Sequence, residues 1–133
     1  MIMTQSEAVL LSLLGPKPVF WYNKRHDTIL CAWNGIVMTQ SHALMLIGEF
    51  FWKQTPTPEM RRVADKDFYI LYKSGAFENT EKWDNIINDN VFVSVMHSYY
   101  KKKLKVFIEN NLGNTKPDEV YRWLNLEEFC QYN

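Results

Sequence analysis

An α+β domain is the fold this sequence predicts: an N-terminal three-stranded antiparallel meander packed against several helices. Three observations carry that expectation. Asn34-Gly35 stands between two β-branched and aromatic runs, and this pair supplies the positive φ angles of a type I′ hairpin turn. Further along, apolar residues recur at helical rather than alternating spacing. Strand-like segments gather at the N-terminus and helix-like ones follow, which is an α+β order rather than β-α-β alternation.

Thr4-Gln5-Ser6-Glu7 fits a capping box, and the run Ala8–Leu14 follows it until Gly15, Pro16 and Pro18 stop the helix. This helix is apolar almost all round, so burial on more than one side is expected. Val19–Tyr22 suits a strand, Lys24–Asp27 a polar turn and Thr28–Trp33 a second strand; Ile36–Thr39 returns after Asn34-Gly35. Ser41 is expected to cap a helix over His42–Gln54, with Leu44, Ile47 and Phe51 on its apolar face. Thr57 with Pro58 restarts a helix. Its spacing continues through Met60, Val63, Ala64, Phe68 and Leu71 to Lys73 and Gly75, although Phe68–Tyr72 also reads as a strand.

Asn79–Ile87 suggests a short helix around Trp83, Ile86 and Ile87. Val91–Val95 is β-rich by propensity, yet Val93, Met96, Tyr100, Leu104 and Ile108 continue a helical stripe to Leu112-Gly113, with a break expected near Asp89-Asn90. Acids in a first turn mark two short helices starting at Lys116–Glu119 and Asn125–Glu128. No repeat or low-complexity stretch occurs, and the linkers Gln54–Pro58 and Gly75–Thr80 are short. Residues 1–133 are therefore expected to form one domain.

With 47% apolar and 23% charged residues the chain has the composition of a folded domain, not of a disordered or disulfide-built one. Fifteen basic and fifteen acidic residues leave no net charge to attract nucleic acid or an anionic membrane, so such binding would need a local patch. Ile29–Ile47 is nearly uncharged, but Asn34-Gly35, Gln40, Ser41 and His42 inside it argue against a membrane span. A cytoplasmic location is expected, since the N-terminus lacks the basic start of a secretion signal. The two cysteines, Cys31 and Cys130, are read as separate thiols, with one long-range disulfide as the alternative.

The sharpest charge feature is Lys101, Lys102, Lys103 and Lys105, preceded by Tyr99 and Tyr100. Lysines beside aromatic rings suit phosphate contact and base stacking; a solvated helix face is the plainer reading. Lys24-Arg25 and Arg61-Arg62 form a second basic set, and the Lys24-Arg25-His26 turn beside Trp21 and Tyr22 is able to meet phosphate or an acidic partner, or is simply a solvated polar turn. His26, His42, His97 and the cysteines match no metal-ligand spacing, and no cofactor fingerprint, P-loop or hydrolase motif occurs. A nucleophilic Cys31 activated by His42 or His97 is the enzyme reading; a small buried hydrophobe is the ordinary role of a mid-strand cysteine. Glu49 with Asp65 or Asp67 has nothing in its spacing beyond what exposed helix carboxylates show.

Eight Phe, five Trp and seven Tyr are more rings than a small core readily hides. Trp21, Tyr22, Tyr99, Tyr100, Tyr121 and Trp123 are the candidates for exposed anchors in a partner interface; a homodimer interface or partly buried rings that need no partner are the plainer readings. The expected function is thus a non-enzymatic binding module of the inhibitor or adaptor kind, for which phage-type anti-defence proteins are one model. It would need no cofactor and no metal, and would dock on a larger protein or nucleoprotein complex through Trp21, Arg25, Tyr99, Tyr100 and the Lys101–Lys105 segment. Nucleic-acid binding by that lysine face is the second expectation, and a small cysteine-dependent enzyme the third.

Overall fold

A computed structural model describes residues 3–77, 92–125 and 130–131. Thr4 opens helix α1 (Gln5–Ser12) with the expected capping box: its hydroxyl accepts from Glu7 N at 3.2 Å, and the Glu7 carboxylate reaches back to Thr4 N. Strands β1 (Val19–Asn23), β2 (Thr28–Trp33) and β3 (Ile36–Met38) form the antiparallel meander, with Phe20 opposite Cys31 and Cys31 opposite Met38. Asn34 and Gly35 turn the second hairpin at φ 51° and 77°, as a type I′ turn requires. Both sheet faces are covered. Trp21, Leu30 and Ala32 are buried on one, and Phe20, Cys31, Trp33 and Met38 on the other.

One strand escapes sequence reading. β4 (Cys130–Gln131) adds to β1 in parallel, so the sheet order is β3-β2-β1-β4. Two residues are too few for a period-2 pattern to register.

Helix α2 (Gln40–Trp52) starts earlier than expected. Thr39, not Ser41, is the cap: its backbone is extended and its hydroxyl accepts from His42 N at 3.3 Å. Ser41 lies inside the first turn, where its hydroxyl donates to Asp67 of the next helix at 2.8 Å. Lys53 ends α2 in the left-handed conformation at φ 51°. Helix α3 (Pro58–Ser74) has Thr57 as cap, Pro58 in its first turn and Gly75 at φ 80° as terminator. Phe68–Tyr72 is therefore helical: Ala64 and Phe68, four residues apart, are both fully buried, and the strand alternative is set aside.

Helix α4 (Phe92–Asn111) likewise takes up most of the β-prone run, because Met96, Tyr100, Leu104 and Ile108 form one buried stripe. Helix α5 (Pro117–Asn125) buries Val120, Trp123 and Leu124. The expected helix over Asn79–Ile87, the break near Asp89-Asn90 and the segment 126–128 lie outside the described residues. Helix α2 packs on α3, α4 and α5, and α1 lies across β1 and β2. No helix among the described residues is long and apolar enough to cross a membrane.

The expectation for α1 needs correction. Only Ala8 and Ser12, one turn apart, face the sheet closely enough to be buried; Leu10, Leu11, Leu13 and Leu14 are 64%, 45%, 57% and 82% exposed. A short helix lying on the sheet can bury one stripe, and the leucines fall outside it.

Candidate functional site

The lysine segment lies on α4, whose buried stripe fixes what its lysines face. Lys101 and Lys103 flank that stripe, while Lys102 and Lys105 point outward between them. All four are exposed, and two of them have partners. Lys101 Nζ is ion-paired with Glu49 of α2, and Lys103 Nζ lies 5.8 Å from the centroid of Tyr99. One turn beyond Lys105, Glu109 is exposed on the same helix. Lys102 and Lys105 remain as outward charges on a helix whose one acidic residue is Glu109.

Glu49 holds a second group as well. Its Oε2 lies 3.0 Å from His97 Nε2, so one carboxylate ties α2 to two successive turns of α4. Burial pushes Glu49 upward, but hydrogen bonding and charge from Lys101 and His97 outweigh it and hold the carboxyl below its usual range. Burial lowers the His97 pKa, and Glu49 opposes this only in part. The charged partners of Glu49 lie on α4, not at Asp65 or Asp67 of α3. Asp67 instead accepts from Ser41, and Asp65 is raised to about 6 by burial against the charge of Arg61.

Two expected anchors are core residues. Tyr100 is fully buried, donates from its hydroxyl to Val37 O at 3.0 Å, and packs edge-on against His42 and Phe68. It has no ring face to offer a base, because its position on α4 falls on the stripe with Met96 and Leu104. Trp21 is 2% exposed, on the sheet face it shares with Leu30 and Ala32. Arg25 is exposed in the β1–β2 turn and borders a recess of about 300 Å³ whose wall includes Trp21, but that recess belongs to the hairpin and the start of α1 rather than to α4. Of the remaining rings, Trp123 is nearly buried beneath Lys17, whose Nζ is 5.3 Å from its centroid. Tyr121 is 38% exposed and lies 5.5 Å from Trp52.

The three histidines do not share one site, although His97 is near enough to His42 to bear on its charge. His26 is in the turn, His97 is on Glu49, and His42 is in the core, its Nδ1 3.1 Å from Thr39 Oγ1. Burial, with a smaller contribution from His97, lowers His42 to about 3. Among the described residues no three of His, Cys, Asp and Glu gather as a metal site would need. Cys31 is fully buried in the central strand, where no substrate reaches its Sγ.

The surface that sequence reading missed is the C-terminal end of α1. Leu10, Leu11, Leu13 and Leu14 make a run of exposed apolar side chains next to the β2–β3 turn, where Gly35 lies against Leu13. The signal was present: Ala8 and Ser12 are the only small residues at one-turn spacing in the helix, and a helix that seats small residues on a sheet turns its large ones away. No protein-family model, curated protein or solved structure matches the chain.

Proposed function

We propose that this protein is a non-enzymatic binding module of inhibitor or adaptor type that docks on a larger protein assembly. The observation that carries the reading is the exposed leucine run of α1. Single exposed apolar residues are ordinary on a monomer, whereas a contiguous run is characteristic of a protein-protein contact. Lys102 and Lys105 supply outward charge of the kind that forms an interface rim. The Glu49 partner of Lys101 and the burial of Tyr100 weigh against direct nucleic-acid binding as the main role.

The test is retention on the immobilised full chain from lysate of the cells that make it, with and without nuclease. A defined protein retained in both halves, and lost by Leu11→Asp/Leu14→Asp but not by Lys102→Ala/Lys105→Ala, is the expected result. Loss of all bound material after nuclease, or retention indifferent to the leucine change, overturns the reading.

A further inference from the structure

We propose that the recess between the β1–β2 hairpin, the start of α2 and the middle of α3 binds a small organic cation: an alkylammonium or guanidinium group on an aliphatic body. The recess is open and holds about 600 Å³, room for a small molecule or one long side chain. Asp27 on the hairpin and Asp67 on α3 contribute two carboxylates from different walls. No Lys, Arg or His is among the described residues that line it.

Neither carboxylate has a cation partner among the described residues. Asp27 accepts from the Tyr22 hydroxyl and Asp67 from the Ser41 hydroxyl, both neutral donors. Each ionised carboxylate accepts about four hydrogen bonds, so acceptor capacity remains on both walls. The start of α2 also borders the recess, but a helix N-terminus offers only about half a positive charge against two full negative ones. Thr39 already satisfies one of its N–H groups. The balance is negative, and an anion is disfavoured.

Ile29, Ile70 and Leu71 give the lining an aliphatic part beside the polar Thr28, Thr39 and Gln40, and Ile70 is 53% exposed. An occupant that satisfies both features carries its charge at an end and a hydrocarbon chain behind it. A free amine and the lysine side chain of a partner share this chemistry.

The test uses the full chain, observed by amide NMR while n-butylammonium and, separately, Nα-acetyl-lysine methylamide are titrated in. Butan-1-ol and butyrate serve as neutral and anionic counterparts. Saturable shifts confined to Ser41, Asp67, Ile70 and their neighbours are expected for the cations. They should weaken with added salt and weaken about tenfold in Asp27→Asn, as the loss of one charge-assisted contact implies. Tighter binding of the lysine derivative assigns the site to a partner's side chain, and tighter binding of n-butylammonium to a free amine. Cation shifts no larger than those of butan-1-ol, saturable binding of butyrate, or affinity unchanged by salt and by Asp27→Asn overturns the proposal. Asp67→Asn is a second variant, and Asp27→Asn alone decides the question if loss of the Ser41 contact unfolds it.

Discussion

Ser12 Oγ stands 2.9 Å from Gly35 N, joining the last turn of α1 to the tip of the β2–β3 hairpin 23 residues away. The same hydroxyl donates to Val9 O at 2.7 Å, and Ser12 is fully buried. Gly35 is half-buried at the hairpin tip, and the Ser12 hydroxyl is the acceptor its N–H finds. Ser12→Ala removes that acceptor and is expected to lower stability by about 1 kcal/mol. Urea unfolding measures it, with the midpoint falling and the slope unchanged. A loss below about 0.5 kcal/mol would show that the hairpin tip finds another acceptor.

Gly35 disfavours a side chain, chiefly through its backbone. Its φ of +77° is unfavourable for an L residue, and an added Cβ would lie 2.8 Å from Leu13 Cδ2. Gly35→Ala is expected to cost about 1–2 kcal/mol from the backbone alone. Combining it with Leu13→Ala, which removes the side chain in the way, should recover only the steric part. Full recovery in the double variant would place the whole cost on Leu13 and none on φ.

His42 makes stability fall on acidification. Its pKa is about 3 in the folded chain against 6.5 when unfolded, so the unfolded state binds the proton first. Stability from this residue is complete above pH 6.5 and is lost as pH falls toward 3, by about 1.4 kcal/mol per pH unit. His97, also lowered, acts in the same direction, and Glu49 adds a further loss below 4.5. Asp65, raised from 3.8 to about 6, acts oppositely over that window, but it is exposed enough for solvent to weaken its effect. Thermal unfolding between pH 7 and pH 4 should therefore show a net decline, and His42→Leu should flatten it whatever its cost at pH 7. An equally steep decline in His42→Leu would assign the acid sensitivity elsewhere.

The contact of Glu49 with His97 and Lys101 is open to direct titration. The carboxylate raises the His97 pKa against the lowering effect of burial. In Glu49→Gln the His97 pKa, followed by NMR of the ring protons, is expected to move further down. Stability should drop by about 1 kcal/mol at low salt and by less at high salt. An unmoved His97 pKa would mean that the pair is not formed in solution.

How far the chain could be read before folding follows from where its signals are local. The capping box at Thr4, the Asn34-Gly35 turn, Thr57-Pro58 and the Gly75 terminator all sit where expected, because each acts within four residues. Thr39 and Ser41 are both competent caps, and only the position of Asp67 on α3, 26 residues away, decides which hydroxyl is used elsewhere. Helical spacing resolved Phe68–Tyr72 and the run from Phe92 once partners buried one stripe of each helix. The candidate site was less legible. Tyr99 and Tyr100 are adjacent and chemically alike, yet a 100° step on α4 leaves the first beside Lys103 and puts the second in the core. The partner of Lys101, 52 positions back, is set by α2 packing on α4 and leaves no trace in local sequence.

The two cysteines illustrate the same dependence and give a last expectation. Phe20 of β1 pairs with Cys31 on one side and with Cys130 on the other. The cysteine Cα atoms are therefore two strand spacings apart, about 9.5 Å. A disulfide needs Cα atoms within about 7 Å, so no bridge forms without dismantling β1. Reductant is then expected to leave the unfolding midpoint unchanged. In Cys130→Ser, alkylation of Cys31 should follow opening of the sheet, slow in buffer and accelerating with urea, because the residue is fully buried. A midpoint lowered by reductant would contradict the β4–β1 register. Rapid alkylation in buffer would expose the thiol and return the cysteine-dependent enzyme to consideration, since a nucleophile must first be reachable.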